Sequence, residues 1–107
     1  MDESSFSIKR ENDTIKITLS GNLDAKNAPA LSEELKKVLS GEIKRIVFFV
    51  KELKYISSAG LRVIIFAKQK LGDEAEVVMV GVQEDVLEVI KMSGLDTIME
   101  FKDIYEG

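Results

Sequence analysis

The chain turns on Lys54-Tyr55-Ile56-Ser57-Ser58-Ala59-Gly60-Leu61-Arg62-Val63-Ile64-Ile65. Before it stands the continuously apolar run Ile46-Val47-Phe48-Phe49-Val50, and after it a helical pattern continues to about Leu71. Two adjacent serines therefore fall where a strand gives way to a helix. Serine suits that place, because its hydroxyl accepts a hydrogen bond from an unpaired backbone N–H of the first helical turn. The helix N-terminus also carries roughly half a positive charge, so added negative charge is tolerated there. The remaining sequence reads as a scaffold that presents one of these serines.

Working outward, Ile46–Val50 has a counterpart in Val77-Val78-Met79-Val80. Short apolar runs rich in β-branched residues suit strands buried on both faces. A helix-length segment separates the two, which implies a parallel βαβ crossover. The apolar positions of that helix, Leu61, Val63, Ile64, Ile65, Phe66 and Ala67, are wider than a surface stripe, so it is expected to be largely buried, with Arg62 and Gln69 exposed. Upstream, Phe6-Ser7-Ile8-Lys9 and Thr14-Ile15-Lys16-Ile17-Thr18-Leu19-Ser20 alternate around Glu11-Asn12-Asp13 and predict a hairpin that Gly21 and Asn22 end. Leu23 to Pro29 is a strand-to-helix junction; Asp24 or Asn27 is the cap, and Pro29 fits a first helical turn. Leu31, Leu35, Val38 and Leu39 stripe the helix that Ser40-Gly41 stops. Downstream, Val86, Leu87, Val89 and Ile90 predict a third helix, with Gly94 as its left-handed cap. Leu95, Ile98, Met99 and Phe101 form a last short apolar element, expected as an edge strand, and Asp103 to Gly107 reads as a frayed tail or the start of a brief helix. The order is β-β-α-β-α-β-α-β: a single α/β domain over residues 1–107 with a mixed, mostly parallel sheet, residues 1–5 being flexible.

Composition excludes several function classes. At 107 residues, 45% of them apolar and 32% charged, the chain is long enough to bury one core. A net charge of -4 without a basic cluster argues against nucleic acid or an anionic membrane as partner. Cysteine and histidine are both absent, which removes thiol nucleophiles, zinc-thiolate sites, the commonest general base and the commonest metal ligand. No metal or cofactor is expected. A serine nucleophile would lack an adjacent histidine base, and Ser57-Ser58 lacks the Gly-x-Ser-x-Gly elbow. Gly21, Gly41, Gly60, Gly72, Gly81 and Gly94 are scattered rather than clustered as a nucleotide cradle requires. An enzyme is therefore not expected. The opening Met1-Asp2-Glu3-Ser4-Ser5 is polar and acidic, unlike a signal peptide, and no apolar run approaches the ~20 residues of a membrane span, so a cytoplasmic location is expected. Met79, Met92 and Met99 read as core or edge packing; Tyr55 reads as partly buried packing, with stacking in an interface as the alternative.

With that order in place, Ser57-Ser58-Ala59-Gly60-Leu61-Arg62-Val63 resembles the phosphorylation segment of the STAS-domain anti-sigma factor antagonists. The resemblance covers nearly the whole chain. Gly21-Asn22-Leu23-Asp24 followed by Ala28 is similar to the family's Gly-x-Leu-Asp turn, Ile46–Val50 to the strand leading to the phosphosite, and Gly94-Leu95 to the end of the third helix. Ser58, two positions before Gly60, corresponds to the family's phosphorylated serine, and Asp24 to the turn aspartate that lies close to it. Many members carry Asp before the phosphoserine and Ser or Thr after it; Ser57 and Ala59 stand here, and Arg62 stands where glycine is frequent. The resemblance implies a STAS fold and a partner switch. The unphosphorylated chain binds an anti-sigma factor that is also a serine kinase and so frees a sigma factor; phosphorylation of Ser58 ends the binding, and a serine phosphatase resets it. The implied partner surface is Asp24, Ser57, Ser58, Ala59, Gly60 and Arg62 on a monomer. Arg62, four residues after Ser58, is within reach of a phosphate if Ser58 begins the helix. The alternative is a STAS-type small-ligand or stress-sensing module in another signalling pathway. Without the resemblance, the serines are a plain N-cap pair, Asp24 a turn aspartate and Arg62 a solvated side chain.

Overall fold

In the computed structural model, which describes residues 4–105, the alternating stretches Ser5–Glu11 (β1) and Thr14–Leu23 (β2) pair antiparallel. The tight turn between them places Asn12 at φ 58°, a left-handed position that asparagine tolerates better than most residues. There follow α1 (Ala28–Val38), β3 (Arg45–Ile56), α2 (Ser58–Leu71), β4 (Glu76–Val80), α3 (Glu84–Met92), a 3-10 turn over Leu95–Ile98, and β5 (Glu100–Lys102). The strands lie in the order β1-β2-β3-β4-β5, and every neighbouring pair after the hairpin is parallel. This is the single α/β architecture that the apolar pattern predicts.

The three helices bury their apolar faces on one side of the sheet. Leu31 and Leu35 of α1, Leu61, Val63, Ile64 and Ala67 of α2, and Val86 and Ile90 of α3 share a core with Ile15, Ile17, Leu19, Ile46, Phe48, Val77 and Met79. The sheet's other face has a smaller buried cluster, Val47, Val78 and Val80, packed with Phe49 and Tyr105 and with no helical residue. That explains why β3 and β4 read as continuous apolar runs: both faces of their centres are covered. Arg62 and Gln69 are exposed on α2, as its pattern predicts. Leu87 and Val89 of α3, expected inside, are only half-buried.

Several expectations are corrected. β2 does not stop at Gly21-Asn22 but runs to Leu23, paired with β3 as far as Leu23↔Ile56, so β3 continues past the apolar run Ile46–Val50 up to the expected junction at Ser57-Ser58. Pairing survives there through two register shifts. Thr18↔Phe49 is followed by Ser20↔Glu52, and Gly21↔Leu53 by Asn22↔Tyr55, so β3 carries an extra residue at each step. Within the segment expected to be flexible, Ser4 and Ser5 bond to β2: the Asn22 N–H donates to Ser4 Oγ at 2.8 Å, and the Ser5 and Ser20 hydroxyls share a 2.7 Å bond. The part of that expectation falling on residues 1–3 lies outside the described residues. Tyr105 is not part of a frayed tail, since its ring packs edge-on to Phe49 at 5.9 Å and its hydroxyl accepts from Arg45 Nη1 at 3.2 Å; residues 106 and 107 lie outside the described residues. Met92 is not packed but 88% exposed, and Tyr55 is 51% exposed.

Two basic side chains close helix ends from a distance. The Arg10 guanidinium of β1 donates to the Val38 carbonyl at 3.1 Å and to the Ser40 carbonyl, satisfying groups left open at the end of α1. Lys68 Nζ donates to the carbonyls of Gly72, Asp73 and Ala75 at 3.2, 3.1 and 2.6 Å and ties down the exit from α2. Gly94 adopts φ 81°, the left-handed conformation expected after α3.

Candidate functional site

β2 and β3 are parallel neighbours, so their C-terminal ends emerge side by side. Leu23 pairs with Ile56, and the Ser57 N–H donates to the Leu23 carbonyl at 2.9 Å. The chain leaves β2 into the Asp24 turn and leaves β3 into α2, which brings Asp24 and Ser57-Ser58 to one corner of the domain.

The two serines divide the work there. Ser57 is the N-cap: its backbone is extended (φ -101°, ψ 175°) and its Oγ accepts the Gly60 N–H at 3.3 Å. Ser58 is the first residue of the helix; it is exposed, and its hydroxyl has no partner among the described residues. Sequence reasoning left either serine as cap. The backbone bond to Leu23 decides it, because it ends the strand at Ile56 and makes Ser57 the residue in between.

Gly60 explains how the helix tip comes so close to the sheet. A Cβ at this position would lie 2.8 Å from both Leu23 Cγ and the Leu23 carbonyl oxygen and 2.9 Å from Ile56 Cγ1. Of the residues expected on a partner surface, Gly60 is buried, and it is the one that allows this close packing of helix on strand end. Ala59 is half-buried, and Arg62 is exposed without a hydrogen-bond or ion-pair partner among the described residues.

Asp24 works as a turn former. Its Oδ1 accepts the N–H groups of Lys26 at 3.0 Å and Asn27 at 3.3 Å, while its own N–H donates to Asn27 Oδ1 at 2.8 Å. Asn27 Nδ2 also donates to the Asn22 carbonyl at 2.6 Å. This reciprocal lock, followed by Pro29 in the first turn, starts α1; Asn27 stands at the N-cap position but makes no side-chain cap bond to the helix. A shallow groove lined by Ala25, Ala28, Pro29, Ser32, Ala59, Arg62 and Val63 joins the first turns of α1 and α2 beside Ser58.

The corner sets a helix end that favours an anion beside the Asp24 carboxylate, which does not. α3 carries Glu84 and Asp85 in its first turn, which complement its dipole. The first turn of α2 carries no acidic side chain, so no residue of the helix itself offsets its positive end at Ser58. Among the described residues no group of three or more acidic, histidine or cysteine side chains is arranged to hold a metal ion, and no helix is long and apolar enough to cross a membrane.

The family model for the STAS domain matches residues 5–106. An anti-sigma-B factor antagonist of Listeria monocytogenes is 33% identical over 99 residues, which cover 90% of this chain and 85% of that protein. Among solved structures, an anti-sigma factor antagonist from Mycobacterium paratuberculosis has a TM-score of 0.81 at 21% identity, covering 96% of this chain and 88% of that one. The anti-sigma factor antagonist SpoIIAA in its unphosphorylated form has a TM-score of 0.80 at 19% identity, covering 91% and 87%. The Bacillus cell fate determinant SpoIIAA in its phosphorylated form has a TM-score of 0.72 at 18% identity, covering 91% and 90%. The chain belongs to the STAS-domain anti-sigma factor antagonist family.

Proposed function

We propose that this chain is a cytoplasmic anti-sigma factor antagonist controlled at Ser58. Its bare form binds an anti-sigma factor that is also a serine kinase, and so frees a sigma factor. Phosphorylation of Ser58 breaks that complex, and a serine phosphatase restores it. The observation that carries this reading is the division of labour at the helix tip: Ser57 alone makes the cap, and Ser58 is exposed with an unengaged hydroxyl. Kinship with an anti-sigma-B factor antagonist supports the partner class. A fold shared with SpoIIAA in both its unphosphorylated and phosphorylated forms supports a switch without refolding.

The physics of the switch is local. A phosphoryl group adds about -1.5 to -2 charges and three acceptor oxygens. On the positive end of α2 the host accommodates it, since a negative charge near an exposed helix N-terminus is favourable by about 0.3–1 kcal/mol. Arg62, four residues on and unpaired among the described residues, supplies a second positive group on the same side of the helix. The partner meets the same dianion in an interface shaped around a small hydroxyl. About 1.4 kcal/mol of lost contact weakens such a complex tenfold, and the Asp24 carboxylate at the same corner adds repulsion. The remaining contact surface is Asp24, Ala59 and the exposed faces of Ser57 and Arg62.

The test is incubation with the cognate anti-sigma kinase and ATP, followed by mass spectrometry of the labelled peptide. The expected product is a single phosphate on Ser58, absent from Ser58→Ala. Label on Ser57 overturns the assignment. The small-ligand alternative has one observation in its favour, a hollow of about 280 Å³ lined by Phe6, Leu19, Leu23 and Leu53 among others. Larger, more open hollows of about 420 and 460 Å³ lie elsewhere on the surface, so volume alone does not separate the readings; kinship with an anti-sigma-B factor antagonist favours protein binding.

A further inference from the structure

We infer that the partner surface extends off the tip of α2 onto the helix-free face of the sheet, with Tyr55 as its anchoring side chain. This rests on the function proposed above and names the contact through which the anti-sigma kinase is gripped. Among the described residues three large apolar side chains are exposed, Tyr55, Met92 and Ile104. Met92 ends α3, and Ile104 follows β5 in the closing segment. Tyr55 alone adjoins the Ser57-Ser58 corner in sequence.

Its position is built. Without the two register shifts along β3, the side chains beyond Val50 would alternate in step with Ile46 and Phe48. The shifts at Glu52 and Tyr55 break that step and let Leu53 and Ile56 both reach the helix-side core. Since neighbouring strand residues point to opposite faces, a buried Ile56 turns Tyr55 to the face that carries no helix. The two extra residues cancel for Tyr55, which keeps the face opposite Ile46 and Phe48, and they turn Leu53 inward. Across the strand pair Tyr55 faces Asn22, and Leu23 and Asp24 follow directly. The phenol is thus continuous with the Asp24 turn on one side and with Ser57-Ser58 on the other. Its hydroxyl has no partner among the described residues. Lys54, also exposed and unpaired among the described residues, stands beside it.

The fitting partner surface is an apolar pocket with an acceptor at its base for the phenol and a carboxylate at its rim for Lys54. Tyrosine is over-represented among residues that dominate interface energies, because it is large, stiff and amphipathic. Contact with Tyr55 would hold the kinase in register so that its phosphoryl-transfer site meets Ser58, three residues on.

The test uses the full chain and the purified anti-sigma factor serine kinase of the same genome, with affinity measured by calorimetry. Tyr55→Ala is compared with Tyr55→Phe, with Met92→Ala as a distant control. Because Tyr55 is half-exposed, its loss should leave thermal stability close to that of the parent chain. The expected result is binding weakened about tenfold or more by Tyr55→Ala, less by Tyr55→Phe, and not by Met92→Ala. Phosphorylation of Ser58 in Tyr55→Ala should slow through a raised KM. Equal affinity of Tyr55→Ala and the parent, or an equal loss in Met92→Ala, overturns this inference alone. A parent chain that holds no such kinase overturns the proposed function, and this inference with it.

Discussion

Exchanging the two adjacent serines for alanine, one at a time, separates stability from switching. Ser57 Oγ accepts the Gly60 N–H at 3.3 Å, a bond at the long end of the useful range. Removing an N-cap costs about 0.5–2 kcal/mol. The length of this bond and the partial exposure of Ser57 place Ser57→Ala in the lower half, about 0.5–1 kcal/mol. For a chain of this size that lowers Tm by about 2–4 °C. The Ser58 side chain makes no hydrogen bond among the described residues and is exposed, so Ser58→Ala stays within about 0.5 kcal/mol of the parent. The functional effects run the other way. Ser58→Ala takes up no phosphate and remains bound to the kinase, whereas Ser57→Ala is still phosphorylated at Ser58. The phosphorylated parent should melt no lower than the bare one, and the difference should shrink as salt screens the helix-end field. Thermal and urea denaturation measure the first pair of numbers, and mass spectrometry with kinase and ATP the second. A Ser58→Ala chain that loses more stability than Ser57→Ala would refute the assignment of cap and acceptor.

Other perturbations test the supports of the corner. Gly60→Ala gains about 1 kcal/mol of helix propensity but drives a Cβ to 2.8 Å from the Leu23 carbonyl oxygen; overpacking of about 1–3 kcal/mol should dominate, lowering the urea midpoint and slowing phosphorylation of Ser58. Tyr105→Ala uncovers the Val47, Val78 and Val80 cluster; a loss of about 1–3 kcal/mol is expected, with increased binding of an apolar dye and no change in affinity for the kinase. The Glu11 carboxyl is held below its ordinary range chiefly by its hydrogen bond to Lys16, whose Nζ lies 2.8 Å away. A depressed carboxyl pKa stabilises the fold above the ordinary glutamate range, and that contribution is lost as pH falls through the folded value. The stability gap between parent and Lys16→Met, read from urea midpoints, should therefore be larger near neutrality than in acid; a gap that widens in acid contradicts the sign.

Much of this architecture was legible because burial on both faces leaves an unambiguous trace. Ile46–Val50 and Val77–Val80 are apolar at every position since helices cover one face and Phe49 with Tyr105 the other. The strand-to-helix junction at Ser57-Ser58 was equally legible, as were the stripe of α1 and the left-handed Gly94. What escaped was set by groups distant in sequence. The extension of β3 through Lys51, Glu52 and Lys54 does not alternate, because two extra residues are absorbed against β2. Two chemically identical serines cannot be ranked without the Leu23 carbonyl that ends the strand. Gly60 gave a glycine's usual ambiguity until the Leu23 backbone appeared beside it. Arg10 and Lys68 look like solvated surface cations, yet each closes a helix end; only the tertiary path of the chain brings those carbonyls within their reach.

The corner also shows how a small α/β domain separates persistence from signalling. The groups that hold it, the Ser57 cap, the Asp24–Asn27 lock and the close seat of Gly60, all point inward or bond backbone. The groups left over, the Ser58 hydroxyl, the Arg62 guanidinium and the Tyr55 phenol, are exposed and unpaired among the described residues. Chemistry at the second set should leave the first undisturbed.

The most direct measurement is the affinity of the bare chain and of its Ser58-phosphorylated form for the same anti-sigma kinase, taken by calorimetry alongside a circular dichroism spectrum of each form. The account predicts superimposable spectra and binding at least about tenfold weaker for the phosphorylated form. Equal affinities, or a phosphorylated chain that has lost its fold, would contradict it.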